Sequence, residues 1–500
     1  MRSARLAAVL FLLTTACSFR LGNQEAFPDI TAIPTAATPT AVAPATTVAP
    51  GRGAPLPTTT TTSTTRPPAV AGLLTFRGNA TRTYYGQGPV PSSPAVLNRF
   101  PDQPMCMNSS EGSTTTEWCG TGWTGQPAVF ERDGTTWLVF GAYDGAVHFL
   151  DAATGRRLLP DFQTGDLIKG SVTVDPDGYP LIYVGSRDNY FRVIAIDRPV
   201  ATELWRLPAD AVSPVLWNDD WDGAALVLDD YLFEGGENSQ WHAVKLNRAY
   251  RADGLVAVRP ELVFNAPGWD SELLGALGDY EVSIEGSLAL HGTTLYFANS
   301  GGLVQGWDIS GLKEGRAPTR TFRFWTGDDT DATVVVDDEG MLYVGTEWER
   351  HTERARQVGQ ILKLDPRRPD PLVWSIADQA VVPPQKAAGV WATPAIHRDL
   401  VIVPTNGGRL LGIDRRTGAV RWTKHLPGPL WQSPVVVDDV LLQGDCFGRL
   451  HAYDLANTAV DPPELWTISL GGCIESTPAV WKGRIYVGTR AGFVLTVGDR

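Results

Sequence analysis

From residue 125 to the C-terminus the chain repeats one arrangement of apolar and polar positions. A core phrase returns eight times: LVFGAY (138–143), IYVGSR (182–187), LFEGGE (232–237), LYFANS (295–300), LYVGTE (342–347), VIVPTN (401–406), LLQGDC (441–446) and IYVGTR (485–490). Each copy is an apolar strand that runs into a turn. A second apolar strand precedes it, as in GQPAVF (125–130), ATPAIH (392–397), QSPVVV (432–437) and STPAVW (476–481). A third follows and ends in a turn, as in VHFLDAATG (147–155), LLGIDRRTG (410–418) and LHAYDLANT (450–458). A fourth carries an aromatic residue: Trp205, Phe264, Trp325, Trp374, Trp422 and Trp466. The alternation has period two and is rich in β-branched residues, which excludes a helical solenoid.

Four short strands per unit, repeated at roughly 40 to 60 residues, predict an all-β, eight-bladed β-propeller of four-stranded antiparallel blades. The last unit tests the count. It has three strands, STPAVW, RIYVGT and GFVLTVG, and then the chain ends. A spare strand, AVLNRF (95–100), precedes the first complete unit. The ring is therefore expected to close by pairing this N-terminal strand with the C-terminal ones, which removes the open edges. A seven-bladed wheel would require the irregular third unit to be a false repeat.

Before the repeats the pattern changes twice. Residues 1–16 read as a lipoprotein signal peptide: Arg2 and Arg5 precede a short apolar core from Leu6 to Leu13. That core is too short to cross a bilayer. It ends in Thr14-Thr15-Ala16-Cys17, small residues before a cysteine, so Cys17 is the expected lipidation site; simple cleavage after Ala16 is the alternative. Residues 17–71 are dominated by Thr, Ala and Pro, including TTTTTSTTRPP (58–68), and lack the apolar mass to fold. They read as a disordered stalk, roughly 100 Å long where polyproline II geometry holds. Residues 72–500 are the propeller. The expected address is the outer side of a bacterial membrane, cell surface or periplasm, with a lipid anchor and a monomeric folded domain.

Composition adds exclusions. The chain of 500 residues is 43% hydrophobic and 19% charged, with formal net charge −13. No long basic cluster offers the phosphate neutralisation that nucleic acid demands. Besides Cys17, four cysteines remain: Cys106, Cys119, Cys446 and Cys473. An even number in an exported chain predicts two disulfides. Zinc is the alternative, but there is no CxxC and no histidine beside either pair. GxSxG, GxxxxGK[ST], HExxH and GxGxxG are all missing, so no catalytic residue is assigned.

The phrases PAV, YVGT and LLGIDRRTGAVRW resemble the pyrroloquinoline-quinone (PQQ) type propeller repeat, and FRGNATRTYYG (76–86) resembles the opening segment of such proteins. The resemblance spans nearly all of 72–500 and is weakest in units three to five. It implies an eight-bladed propeller. The family includes quinoprotein dehydrogenases and non-enzymatic exported lipoproteins such as the BamB-like assembly factors, so the repeat implies fold and leaves activity open.

In a propeller the inter-blade loops and the turns between second and third strands emerge on one face. Aligning the copies puts Thr124, Lys169, Asp222, Glu285, Asp331, Trp391, Trp431 and Glu475 at the start of the innermost strands, around the channel mouth. Crowded carboxylates attract a cation or a basic ligand, or else take up protons. Asp222, Glu285, Asp331 and Glu475 are the metal candidates, with oxygen donors suited to Ca²⁺. Indole faces suit flat or cationic groups. The plainer reading is a water-filled mouth with solvated charges and packing tryptophans. Both cysteine pairs and the insertions 265–282 and 346–360 are placed on this same face. Three functions follow. The first is a non-enzymatic scaffold for a protein or envelope-polymer partner, with no cofactor. The second is a PQQ- and Ca-dependent dehydrogenase, against which stands the lack of adjacent cysteines. The third is a small-ligand or metal binder without turnover.

Overall fold

The computed structural model describes residues 69–500 apart from 112–113, 123–124 and 382–386. Residues 1–68, with the signal peptide, Cys17 and most of the stalk, lie outside the described residues, as does Thr124. Eight antiparallel sheets follow one another along the chain. Blade 1 holds strands 128–132, 135–141, 146–151 and 162–163, and blade 2 holds 173–174, 181–185, 190–195 and 202–208. Blade 3 is 226–228, 231–235, 240–245 and 261–267, with a hairpin (249–250, 256–257) inserted before its last strand. Blades 4 to 7 begin at Ala289, Val335, Ala395 and Val435. The irregular third unit is thus a complete blade, and eight is the count among the described residues.

Blade 8 closes the wheel. Its strands 479–481, 484–489 and 493–499 are completed by Pro94–Phe100, which pairs antiparallel with the C-terminal strand (Ala95 opposite Gly498, Phe100 opposite Val494). The structure departs from the expectation in one respect: blades 1 and 8 have five strands. Gly72–Leu73 adds antiparallel to the inner strand of blade 1, and Gly86–Gln87 adds parallel to that of blade 8.

Local chemistry explains the blades. First and second strands join through two-residue turns with both residues at positive φ, at Asp133-Gly134, Asp229-Asp230, Asp438-Asp439 and Lys482-Gly483. Such turns match the strand twist. The apolar faces are buried between blades, so the core is a series of inter-blade layers. Val139, Val147 and Phe149 of blade 1 pack with Val174, Ile182 and Val184 of blade 2, all essentially inaccessible. Each such side chain contributes about 1.5–3 kcal/mol on burial. The outer-strand tryptophans stitch neighbours together: Trp374 Nε1 of blade 5 donates to Arg415 O of blade 6.

Candidate functional site

The central channel is closed at one end. Residues 71–87 cross it at the end where the inner strands finish. Leu74 O, Ala80 O and Thr81 O accept from Val174 N, Leu290 N and Val336 N of blades 2, 4 and 5. Arg82, fully buried, donates Nη2 to Ala224 O and Leu288 O of blades 3 and 4. Arg77 Nη2 reaches Thr393 O of blade 6. Burial lowers the Arg82 guanidinium to about 10, and Glu234 partly restores it. Glu234 itself lies against the inner strand of blade 3, where a Cβ on Gly223 would come within 2.4 Å of its Oε1. What the ring encloses is therefore a cup, capped at this end by residues 71–87.

Just inside the opening the inner strands are laced by hydroxyls. Ala224 N, Ser287 N, Thr333 N and Thr393 N donate to Ser287, Thr333, Thr393 and Ser433 respectively, each on the next blade. At about 1 kcal/mol apiece these bonds fix the spacing of the rim.

The sequence-aligned rim positions share one register. Lys169, Asp222, Glu285, Asp331, Trp391, Trp431 and Glu475 each stand four residues before an inner strand, those beginning at Thr173, Leu226, Ala289, Val335, Ala395, Val435 and Ala479. The structure links most of them directly. Lys169 Nζ lies 2.8 Å from Asp222, 3.0 Å from Asp220 and 3.1 Å from Glu237, and Arg187 adds a contact to Asp220 at 3.2 Å. These three carboxylates also satisfy the geometry of a metal cage. The ammonium already occupies the position a cation would take. Burial works against the Lys169 charge, but Asp222, Glu237 and Asp220 outweigh it and hold its pKa well above the usual lysine range. Burial raises Asp222 to about 7, with Lys169 pulling the other way.

The next sector has no such neutralisation. Ser300 Oγ lies 3.1 Å from Glu285 Oε1 and 3.3 Å from Asp331 Oδ1. Ser283 Oγ donates to Glu285 Oε1 at 2.7 Å, so the donors to this pair are neutral hydroxyls. Trp391 Nε1 donates to Asp331 Oδ2 at 3.1 Å, and its ring meets Trp431 edge to face at 5.4 Å. Asp329 and Glu347 join the cluster. Burial first, then the neighbouring carboxylates, push Glu285, Asp329, Asp331 and Glu347 well above the usual carboxylate range. Asp329 Oδ1 is buried with no hydrogen-bond partner. Farther round, Glu475 pairs with Arg490 at 3.2 Å, whose guanidinium lies over Trp118 and Tyr143.

Of the four metal candidates, then, Asp222 and Glu475 carry cationic partners, and Glu285 and Asp331 face each other across Ser300. Sequence alignment missed a second ring, although the repeat itself spells it. The last residue of five of the eight core phrases contacts the rim or its neighbours: Arg187, Glu237, Ser300, Glu347 and Arg490. The disulfides Cys106–Cys119 and Cys446–Cys473 both form, and the second ties a second-to-third-strand turn to an inter-blade loop on the mouth face. The insertions build the same face. Helix α1 (Ser271–Leu277) lies in one and helix α2 (Glu353–Val358) in the other, and Arg350 bridges them to Asp279 at 2.7 Å.

Residues 359–430 match the family model described as outer membrane protein assembly factor BamB, PQQ_2. No protein of curated function matches the chain. Among solved structures, a europium-containing methanol dehydrogenase superposes with TM-score 0.54 at 13% identity, over 86% of this chain and 98% of that one. The quinohemoprotein alcohol dehydrogenase of Comamonas testosteroni gives 0.50 at 14%, over 86% and 81%. The computationally designed Ika8 protein gives 0.52 at 13%, over 76% and 99%. These likenesses are of fold, and they agree with the eight-bladed wheel.

Proposed function

We propose that the protein is a membrane-tethered, extracytoplasmic propeller that binds a protein partner on its mouth face and catalyses no reaction. One observation carries this reading. The described chain enters at the closed end of the cup, whereas both disulfides, both helical insertions and the acid-lined opening are on the opposite face. A chain entry on one side and an elaborated surface on the other is the layout of a presenting scaffold. The mouth face also exposes aromatic rings: Trp217 is 43% exposed, Tyr280 51% and Phe447, beside the Cys446–Cys473 bond, 68%. Aromatic anchors of this kind dominate protein interfaces. The family match names an assembly factor, which accords with a partner in the cell envelope. Among the described residues no helix is long and apolar enough to cross a membrane; the proposed attachment is lipid at Cys17.

A quinoprotein reading draws on the fold likeness and on the Trp391–Trp431 pair. The donor set does not fit PQQ, however, which is flat and carries three carboxylates. It would meet Glu285, Asp329, Asp331 and Glu347, while the nearby cations Lys169 and Arg490 are engaged by carboxylates of the protein. The two indoles also meet edge to face, at 81°, and present no open parallel platform.

The test is site-specific photo-crosslinking in the native cell from Trp217, Tyr280 and, as control, Tyr250 on the far face. Discrete protein adducts from the first two alone are expected. Equal labelling from all three would overturn the reading, as would dye reduction by the purified protein that requires added PQQ and Ca²⁺.

A further inference from the structure

The charge of this protein is distributed unevenly between its two faces, and most steeply over blades 3 to 5. The connections that open on the mouth face there are 209–225, 236–239, 268–288, 298–302, 326–334 and 346–360. They carry 16 acidic side chains and 3 basic ones. The connections on the opposite face of the same blades are 229–230, 246–260, 292–293, 309–318, 337–341 and 365–371. They carry 9 acidic and 7 basic. One side is thus strongly negative and the other close to balanced. The bias does not come from the folding of individual strands, which are common to both sides.

Apolar surface is interleaved with this charge. The loop 212–218 is anchored by Leu216, which packs against the cluster of Leu273, Val282 and Leu303. Its flanking residues Val215 and Trp217 remain 40% and 43% exposed. Tyr280, in the insertion itself, is 51% exposed. At the centre of the sector, Asp329 Oδ1 is buried without a hydrogen-bond partner, Glu285 is met by the hydroxyls of Ser283 and Ser300, and Asp331 by Ser300 and the Trp391 indole. The three arginines of the sector leave a large acidic excess, met at its centre by neutral donors, and apolar anchors stand exposed beside it.

We propose that the mouth face over blades 3 to 5 is the docking site of a cationic segment of a protein partner, in which Lys or Arg alternates with apolar residues. This rests on the scaffold reading and specifies its partner's chemistry. Nucleic acid and anionic lipid are repelled by the same field. A small cation would satisfy Glu285 and Asp331 but leave Trp217 and Tyr280 uncovered. A chain segment answers both: its basic residues enter the acid-lined opening, and its apolar residues cover the exposed rings.

The probe is a 16-residue synthetic peptide of alternating Arg and Leu, labelled at one end. A Glu-for-Arg version and spermine serve as comparisons. Binding to the full protein is followed by fluorescence anisotropy at low and moderate salt. The Arg peptide should bind, more weakly as salt rises, and the Glu peptide should not. Asp210→Asn, Asp219→Asn and Glu349→Gln together remove three exposed mouth charges and should weaken binding about tenfold, the summed worth of three exposed ion pairs. Asp253→Asn, Glu339→Gln and Asp370→Asn, exposed on the other face, should leave it unchanged. Trp217→Ala should weaken it with no change in salt dependence. Equal loss in both triple variants would reduce the effect to diffuse attraction and overturn the proposal. So would full displacement by spermine at matched charge, or no binding at all. The crosslinking experiment separates this from its premise. An adduct at Trp217 whose attached peptide is not rich in Lys or Arg would leave the scaffold standing and overturn the cationic segment.

Discussion

Replacing Glu234 by glutamine probes the closed cup most directly. Glu234 occupies the second strand of blade 3, at the place held by Val184, Val344, Val403 and Val487 in other blades. It is 2% exposed, and neither carboxyl oxygen has a hydrogen-bond partner. Burial, only partly offset by Arg82, raises its pKa from 4.5 to about 8. The folded state therefore accommodates the protonated form, while the unfolded chain releases the proton near 4.5. The stability tied to this group is complete below pH 4.5 and is lost as the pH climbs through 8. The interval between those values corresponds to about 5 kcal/mol at the alkaline limit. For a domain of this length that is about 5 °C in Tm. Glu234→Gln keeps the shape and removes the titration. Thermal unfolding followed by circular dichroism from pH 5 to 9 should show the two proteins melting together at pH 5. At pH 9 the variant should melt about 5 °C higher. Other acids titrate in both proteins, so the difference isolates this one. Parallel curves would refute the reasoning, because they would mean that Glu234 stays ionised beside Arg82 throughout.

Two further outcomes are expected. Lys169→Met strands Asp220, Asp222 and Glu237 with only Arg187 nearby, and should cost about 3–5 kcal/mol at pH 7.5. Much of that loss should return at pH 5.5 as the carboxylates take up protons; urea midpoints at the two pH values decide, and an equal loss at both would assign Lys169 a packing role. Cys446→Ser with Cys473→Ser opens a 27-residue loop and should cost about 3.5 kcal/mol, read by thermal unfolding under non-reducing conditions as a Tm lower by about 4 °C.

Much of the wheel was legible because its determinants are local and repeated. Period-two alternation, Asp-Gly turns and a missing last strand were enough to place Pro94–Phe100 beside the C-terminus. What was not legible depends on contacts between distant segments. FRGNATRTYYG carries Arg77 and Arg82, and nothing in the string says that two arginines will be buried against carbonyls of blades 3, 4 and 6. Their burial requires a ring of exposed inner-strand carbonyls, which exists only once the wheel has closed. The rim was aligned in a single register because proline or its equivalent recurs at a fixed offset. The second ring needed one more step, reading the last letter of each core phrase as a position in space. Asp220 was visible only within the acidic run NDDWD (218–222), having no counterpart in that phrase, and Glu234 escaped because the glutamate in LFEGGE read as irregularity in a weak unit.

The two rings account for the uneven chemistry of the mouth. Where the second ring supplies a cation, as at Arg490, or the first does, as at Lys169, the carboxylates beside it are neutralised within the protein. Blades 4 and 5 supply Ser300 and Glu347 instead, next to Glu285, Asp329 and Asp331. Substituting cations at those two places would have completed the pattern and stabilised the fold, since buried carboxylates without partners cost free energy. The same sector carries both helical insertions and the exposed Trp217 and Tyr280. Charge left uncompensated in a sector that also extends its loops outward is stability withheld from the chain alone. A positively charged partner would supply the missing compensation by binding there.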